Sequence, residues 1–239
     1  MTASTTLLSL AYKRFKRHKL ALASGLVLIV LTVLALGAPV AEAILGIAAD
    51  DVDLLARFSG PSASHPLGTD ELGRDFLIRL LYGGQVSLMV GMTAALAAAG
   101  LGTAVGLYAG YHGGRADAFL MRFTDGIISL PLLPLLIVLA ALDLEKVGIP
   151  DAIANSENVS LYRIILIVAL VGWTTVARLV RGAALSLRER DFVLAARSHG
   201  ASDLRIMGVH ILPNLVSPIV VATTLSVGNV ILLESVLSF

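Results

Sequence analysis

The 239-residue chain contains no cysteine, so neither disulfides nor thiolate metal sites are open to it. Charge is scarce too: Asp, Glu, Lys and Arg make up 15% of the residues, against about a quarter in soluble domains. Catalytic signatures are missing as well. There is no GxxxxGK[ST], no HExxH and no GxSxG, so nucleotide, metalloprotease and hydrolase chemistry each lack their carrier. What the chain has in quantity is apolar surface, 56% of its residues, with a mean hydropathy of +0.86. That balance points to a bilayer.

A spanning helix needs about 20 mostly apolar residues, and five segments qualify. Residues 20–41 carry no charge. The second candidate is 87–108, after the polar lead-in "YGGQ". The third, 119–142, holds Arg122 and Asp125 at its start and Pro131 and Pro134 inside. The fourth is uncharged only over 164–177, between Arg163 and Arg178, whose long side chains can reach the interfaces. The fifth is 215–233. The first run follows "YKRFKRHK" and is long enough to span, so it reads as a retained anchor rather than a cleaved signal.

Lys and Arg set the orientation. With the N-terminus inside, thirteen fall on the cytoplasmic side and five outside, which decides for N-in. The basic tail is then a topology signal, not a nucleic-acid site. Five spans would leave Phe239 outside. Since "LESVLSF" carries no stop pattern or basic anchor, a sixth span is expected beyond it. The fold class is all-α, a polytopic membrane protein. It divides into a basic tail and first span (1–41), an outer loop with an interfacial amphipathic helix (42–84), and a core (85–239).

Between the last two spans lies "DFVLAARSHGASDLRIMGVHILPN", too polar to cross a bilayer yet helical in pattern. A helix over about 187–199 can end at Gly200, which tolerates positive φ. Ser202 can cap a second helix with Asp203 in its first turn. Leu204, Met207 and Ile211 then share a face, and Pro213 takes the chain out of the helix. Around the bend Ala195, Ala196, Gly200, Ala201 and Ser202 are all small, so another backbone can approach. The segment is either a loop resting on its own bundle or a docking knuckle for a cytoplasmic partner. His210 reads as structural.

Two further patterns stand out. Ala98, Gly102, Gly106, Gly110 and Gly114 recur every four residues, and small-xxx-small ladders allow close helix packing in lipid. In "HPLGTDELGRDFLIRLLYGGQVSL", Thr69 or Asp70 can cap a helix whose face carries Leu72, Phe76, Leu80 and Gly83, lying at the outer interface. Asp125 and Glu234 sit near span ends, where interfacial solvation is the default reading. Pro131 and Pro134 either kink the third span or free carbonyls to line a cavity.

The hairpin resembles the EAA loop of binding-protein-dependent ABC importer permeases, a family with a MetI-like fold. Ala195 and Ala196, then Gly200, then Leu212 and Pro213 fall at the family's spacing, while Leu194 stands where the pattern has Glu. The stretch containing His65, Gly68, Thr69, Asp70, Gly73, Arg74 and Asp75 is similar to the outer motif of C-type permeases of dipeptide, oligopeptide and nickel importers. The resemblance implies an inner-membrane permease subunit whose coupling helix, with Ala195, Ala196, Arg197, Gly200, Ala201, Ser202 and Asp203, docks on an ATPase. It implies a homologous second permease, two ABC ATPase subunits and an extracytoplasmic substrate-binding protein as partners. No cofactor or metal is expected on this chain; ATP and Mg would sit in the partner subunits. The rival reading is a self-contained secondary transporter. It would need a coupling-ion site at mid-bilayer, and no mid-span acid or cation offers one.

Overall fold

The computed structural model describes residues 15–131, 134, 135, 137, 138, 150 and 159–237. Among them the regular structure is helical, apart from one isolated bridge between Thr69 and Asp75. Four helices are long and apolar enough to span: Lys19–Leu36, Phe76–His112, Leu161–Leu187 and Asp203–Val236. The chain is an all-α, multi-pass membrane protein. Residues 132, 133, 136 and 139–142 of the expected span at 119–142 lie outside the described residues. The chain forms two compact units, meeting between Leu88 and Met89.

In the first unit, α1 (Lys19–Leu36) is apolar on every side, and Ala35 is its one buried residue. A helix hydrophobic all round must be covered by a core or by lipid, so this one faces lipid. Pro39 opens the short α2 (Ala38–Leu45), which ends on left-handed Gly46. A 3₁₀ turn, Leu54–Ala56, follows in the loop. The helix α3 (Phe76–His112) then runs unbroken for 37 residues. The amphipathic helix expected before the second span is thus its first turns, and Leu72 lies in the turn ahead of it. The "YGGQ" glycines do not interrupt it; nothing stands within 4 Å of a Cβ at Gly83 and only Ala35 near one at Gly84.

In the second unit, the C-terminal half of α3 packs on α5 (Val159–Leu187) through its small-residue face. A Cβ on Gly102 would sit 2.5 Å from the Trp173 carbonyl oxygen. One on Gly106 would overlap the Ala177 carbonyl, and one on Gly110 would lie 2.7 Å from both Ala184 Cβ and the Arg181 carbonyl. The two backbones touch along three turns, and no side chain fits between them. Gly114 leaves this row, because α3 stops at His112 and a Gly113-Gly114 turn opens α4 (Gly114–Ser129). That helix ends at Leu130, held extended at ψ 135 as the residue before a proline should be.

Ion pairs tie α4 to α5. Arg181 grips Asp117 with two nitrogens, Nε at 2.5 Å and Nη2 at 2.6 Å, and Arg178 pairs with Asp125. Asp125 and Arg178, two of the charges that made these spans look weak, thus neutralise one another. After α6 (Asp191–Ser198) comes α7. It begins as an α-turn at Asp203–Arg205, widens into a π-helix over Ile206–Ile211 and continues as α-helix Leu212–Leu237. Pro213 therefore does not end the helix. The π-turn directly before it re-spaces the hydrogen bonds that a proline would otherwise break.

Candidate functional site

The loop at 46–75 is built almost wholly by its polar residues. Asp75, fully buried, accepts from the Ile78 N–H at 2.9 Å and meets His65 Nδ1 at 3.1 Å. Asp75 is the N-cap of α3, a role the sequence suggested for Thr69 or Asp70. Asp70 instead organises the turn before it, accepting from the N–H groups of Leu72 (2.8 Å) and Arg74 (3.0 Å) and from Arg74 Nε (2.9 Å). Burial pushes its carboxyl pKa up, but those donors outweigh it and hold the pKa below the ordinary aspartate value. Thr69 accepts from the Ser59 N–H at 2.9 Å and donates to the Ala56 carbonyl. Gly68 accepts from the Phe76 N–H at 3.0 Å, and a Cβ there would lie 2.5 Å from the Ser59 carbonyl. Gly73 adopts φ +77, and a Cβ would overlap the Asp53 carbonyl. All seven motif residues serve one internal knot that caps α3.

The hairpin between α5 and α7 is constructed differently. Its apolar underside is anchored: Val193, Ile206, Ile211 and Leu215 are fully buried against Leu107, Val176, Val180 and Ala184. Leu204, expected on this face, is 80% exposed. The π-helix shifts the inward phase to Ile206, Met207 and Ile211, five residues apart at the ends. The bend is a Schellman motif. Ala201 N–H donates to the Ala196 carbonyl at 3.1 Å and Gly200 N–H to the Arg197 carbonyl at 3.0 Å, with Gly200 at φ +78. This is the left-handed stop at which glycine is favoured. Nothing lies within 4 Å of a Cβ at Gly200. Ser202 is extended and precedes Asp203 as expected, but its side chain caps nothing.

Tyr111, near the C-terminal end of α3, holds the hairpin in place. Its hydroxyl donates to Asp203 Oδ1 at 2.5 Å and accepts from Arg197 Nη2 at 3.3 Å, and the Arg197 guanidinium lies 5.5 Å over its ring. Arg188 points at the last carbonyls of α3, Gly110 at 3.4 Å and Tyr111 at 3.5 Å, as cations do at helix C-termini. Arg197 and Asp203, though exposed, therefore bracket the Tyr111 hydroxyl, and Ala196 and Ala201 rest half-buried on the core. Ala195, Gly200 and Ser202 are exposed. Leu194 lines a polar cleft of about 420 Å³ with Arg188, Glu189, Arg197 and Asp203. The sequence reading missed Tyr111 altogether. A lone tyrosine one turn before a Gly-Gly turn carries no signal of a partner 92 residues away.

Of these two regions, the hairpin lies within the part of the chain that a family model matches. Residues 102–239 match a family of binding-protein-dependent transport system inner membrane components. The chain belongs to this family. Residues 6–45 match the N-terminal TM domain of oligopeptide transport permease C. The dipeptide transport system permease protein DppC of Bacillus subtilis is 37% identical over 229 residues, covering 96% of this chain and 66% of that protein. The oligopeptide transport system permease protein OppC of Mycobacterium tuberculosis is 36% identical over 239 residues, 100% of this chain and 77% of its own length. A putative peptide transport system permease protein of Brucella abortus is 39% identical over 230 residues, 96% and 72% respectively. The chain is thus a multi-pass inner-membrane component of a transport system, and it spans about two thirds to three quarters of these relatives.

Proposed function

We propose that this chain is the permease subunit of an ATP-driven importer of dipeptides or oligopeptides, with the 191–202 elbow as its docking point for an ATPase subunit. The construction of that elbow supports the reading. An apolar underside and the Tyr111 bracket fix it to α3, α5 and α7, while its outer surface is small, exposed and unobstructed at Gly200. A loop merely resting on its bundle needs the underside alone. The continuous helix Asp203–Val236 gives a rigid lever, so displacement at the elbow is carried into the bundle. In this reading the basic side and the elbow are cytoplasmic. A homologous second permease completes the pathway, two ATPase subunits bind ATP and Mg, and an extracytoplasmic binding protein delivers the solute.

The test is Gly200→Trp in the assembled complex. A Cβ at this position meets nothing within 4 Å, so the bulk added there is directed at whatever docks on the elbow. Uptake and substrate-stimulated ATP hydrolysis should fall together, with the membrane level of the chain little changed. Leu194→Glu should be tolerated, since Arg188 and Arg197 line the cleft it would enter. Undiminished ATP hydrolysis by Gly200→Trp complexes in response to loaded binding protein would remove the docking role.

A further inference from the structure

α4, α5 and α7 enclose a cleft of about 280 Å³, lined among others by Ile127, Leu130, Thr175, Ser226 and Asn229. It lies well inside the membrane-spanning region. A Cβ on Gly91 of α3 would be 2.8 Å from Ile231, which places residues 227–231 beside Gly91. At ~1.5 Å per residue, Gly91 is roughly 22 Å from the start of α3 and roughly 32 Å from its end. None of the residues lining the cleft is charged.

The polar groups here behave unlike their neighbours. Thr174 turns its hydroxyl back on the Val171 carbonyl, and Thr223 and Thr224 do the same to Ile219 and Val220, each at 2.8 Å. Spanning helices commonly satisfy hydroxyls in this way. Among the described residues no hydrogen-bond partner is found for Thr175, Ser226 or Asn229, and Thr175 and Asn229 are exposed. An amide without partners in hydrocarbon is disfavoured by several kcal/mol, on the order of 2–7. These three groups therefore face something polar. Their cleft also contains Leu130, whose carbonyl would in a continued helix receive the N–H of residue 134, which is a proline.

We infer that this cleft is a station for the main chain of the transported peptide, with Thr175, Ser226 and Asn229 pairing with its N–H and C=O groups. The inference rests on the importer reading and adds the solute's contact residues. A hydroxyl and a carboxamide both donate and accept, which matches an amide backbone of either polarity. Lining that is otherwise apolar and uncharged tolerates varied side chains and offers nothing to chelate a cation. The groups come from two helices and converge on one concavity, which suits a solute better than the ridge of a partner helix. The volume is just below the range of small-molecule sites, ~300–1,000 Å³, which suits a stretch of main chain rather than a bulky whole ligand.

The chain has no native cysteine, so Asn229→Cys can be read directly in membrane vesicles holding the assembled complex with cysteine-free partners. The probe is aminoethyl methanethiosulfonate, with and without loaded binding protein and a mixture of alanine di- to pentapeptides. The thiol should be modified, and the peptides, at roughly four times their Kd, should slow modification about fivefold. Leu225→Cys, on the same helix and 67% exposed but outside the cleft, should resist modification in lipid. An unreactive Asn229→Cys means that lipid or a partner helix covers the site, and overturns the inference. So does reactivity that peptides leave unchanged. Asn229→Leu should slow peptide uptake about fivefold, the effect of one net hydrogen bond, with ATPase co-purification intact; unchanged uptake also counts against the station. If the unaltered chain fails to co-purify with an ATPase, it is the importer reading that fails.

Discussion

The 46–75 loop and the 187–214 hairpin are both polar interruptions in a greasy chain, and each turns on a glycine at nearly the same angle: φ +77 at Gly73 and φ +78 at Gly200. Their surroundings differ. Gly73 is pressed against the Asp53 carbonyl, whereas Gly200 has open space around it. The first region directs its polar groups inward, so its sequence motif describes a piece of folding. The second is braced from beneath and leaves its small residues outside, so its motif describes a surface kept clear. Two polar stretches of one chain thus do opposite physical work.

The sharpest way to break this comparison is the same substitution at both sites. Gly73→Ala carries the left-handed penalty of roughly 1–2 kcal/mol and also forces a methyl into backbone, an overpacking of roughly 1–3 kcal/mol or more. The loop should open, read as new proteolytic cleavage between residues 50 and 75 and a lower unfolding temperature in detergent. Gly200→Ala carries only the first penalty, and the hairpin should stay protected. Equal losses at the two sites would mean that surroundings do not separate the regions.

A smaller effect is expected at the brace. Tyr111→Phe keeps the ring beneath the Arg197 guanidinium but removes the hydroxyl shared by Asp203 and Arg197. One net hydrogen bond to a charged group is lost, about 1.5–3 kcal/mol. Hydrogen exchange over 191–205 should speed up while the 46–75 loop is unchanged. If the hairpin is a coupling lever, ATP hydrolysis by the complex should also respond less to loaded binding protein. Unaltered exchange would show that the apolar underside holds the elbow alone.

The four apolar helices at 19–36, 76–112, 161–187 and 203–236 were legible because lipid imposes one requirement, length and apolarity, that a linear sequence can display. The stop at Gly200 was equally legible, since a left-handed C′ residue is a local matter. Three things were not. Pro213 looked like a helix end because a sequence shows the missing N–H but not the π-turn that absorbs it. Leu204, Met207 and Ile211 looked coplanar because their spacing was counted at 3.6 residues per turn, and the same π-turn changes that count. Asp75 was passed over as the cap of α3 because Thr69 and Asp70 are equally good capping residues; the choice falls to His65 and the buried position, both set by the tertiary knot. Tyr111 and the Asp117–Arg181 pair lie beyond local signals for the same reason, although acids eight apart on α4 and arginines three apart on α5 each share a helix face.

The mildest test concerns protons. Asp70 has a folded pKa below its ordinary value, because the Leu72 and Arg74 donors outweigh the effect of burial. A carboxyl depressed in this way contributes its stabilisation fully above the unfolded value, about pH 4, and loses it as pH falls through the folded value. The loop should therefore hold from neutral pH down to about 4 and loosen below that. Asp70→Asn should be weaker at neutral pH and show a flatter decline, because its acceptor oxygen survives but its charge toward Arg74 and Arg79 does not. The hairpin's turn is instead closed by backbone bonds, Ala201 N–H to the Ala196 carbonyl and Gly200 N–H to the Arg197 carbonyl. Proteolysis of the two regions across pH 3 to 6 should accordingly show the acid-dependent step at 46–75 first. A step that appears first at the hairpin, or one that persists unchanged in Asp70→Asn, would mean that the knot does not depend on this carboxylate.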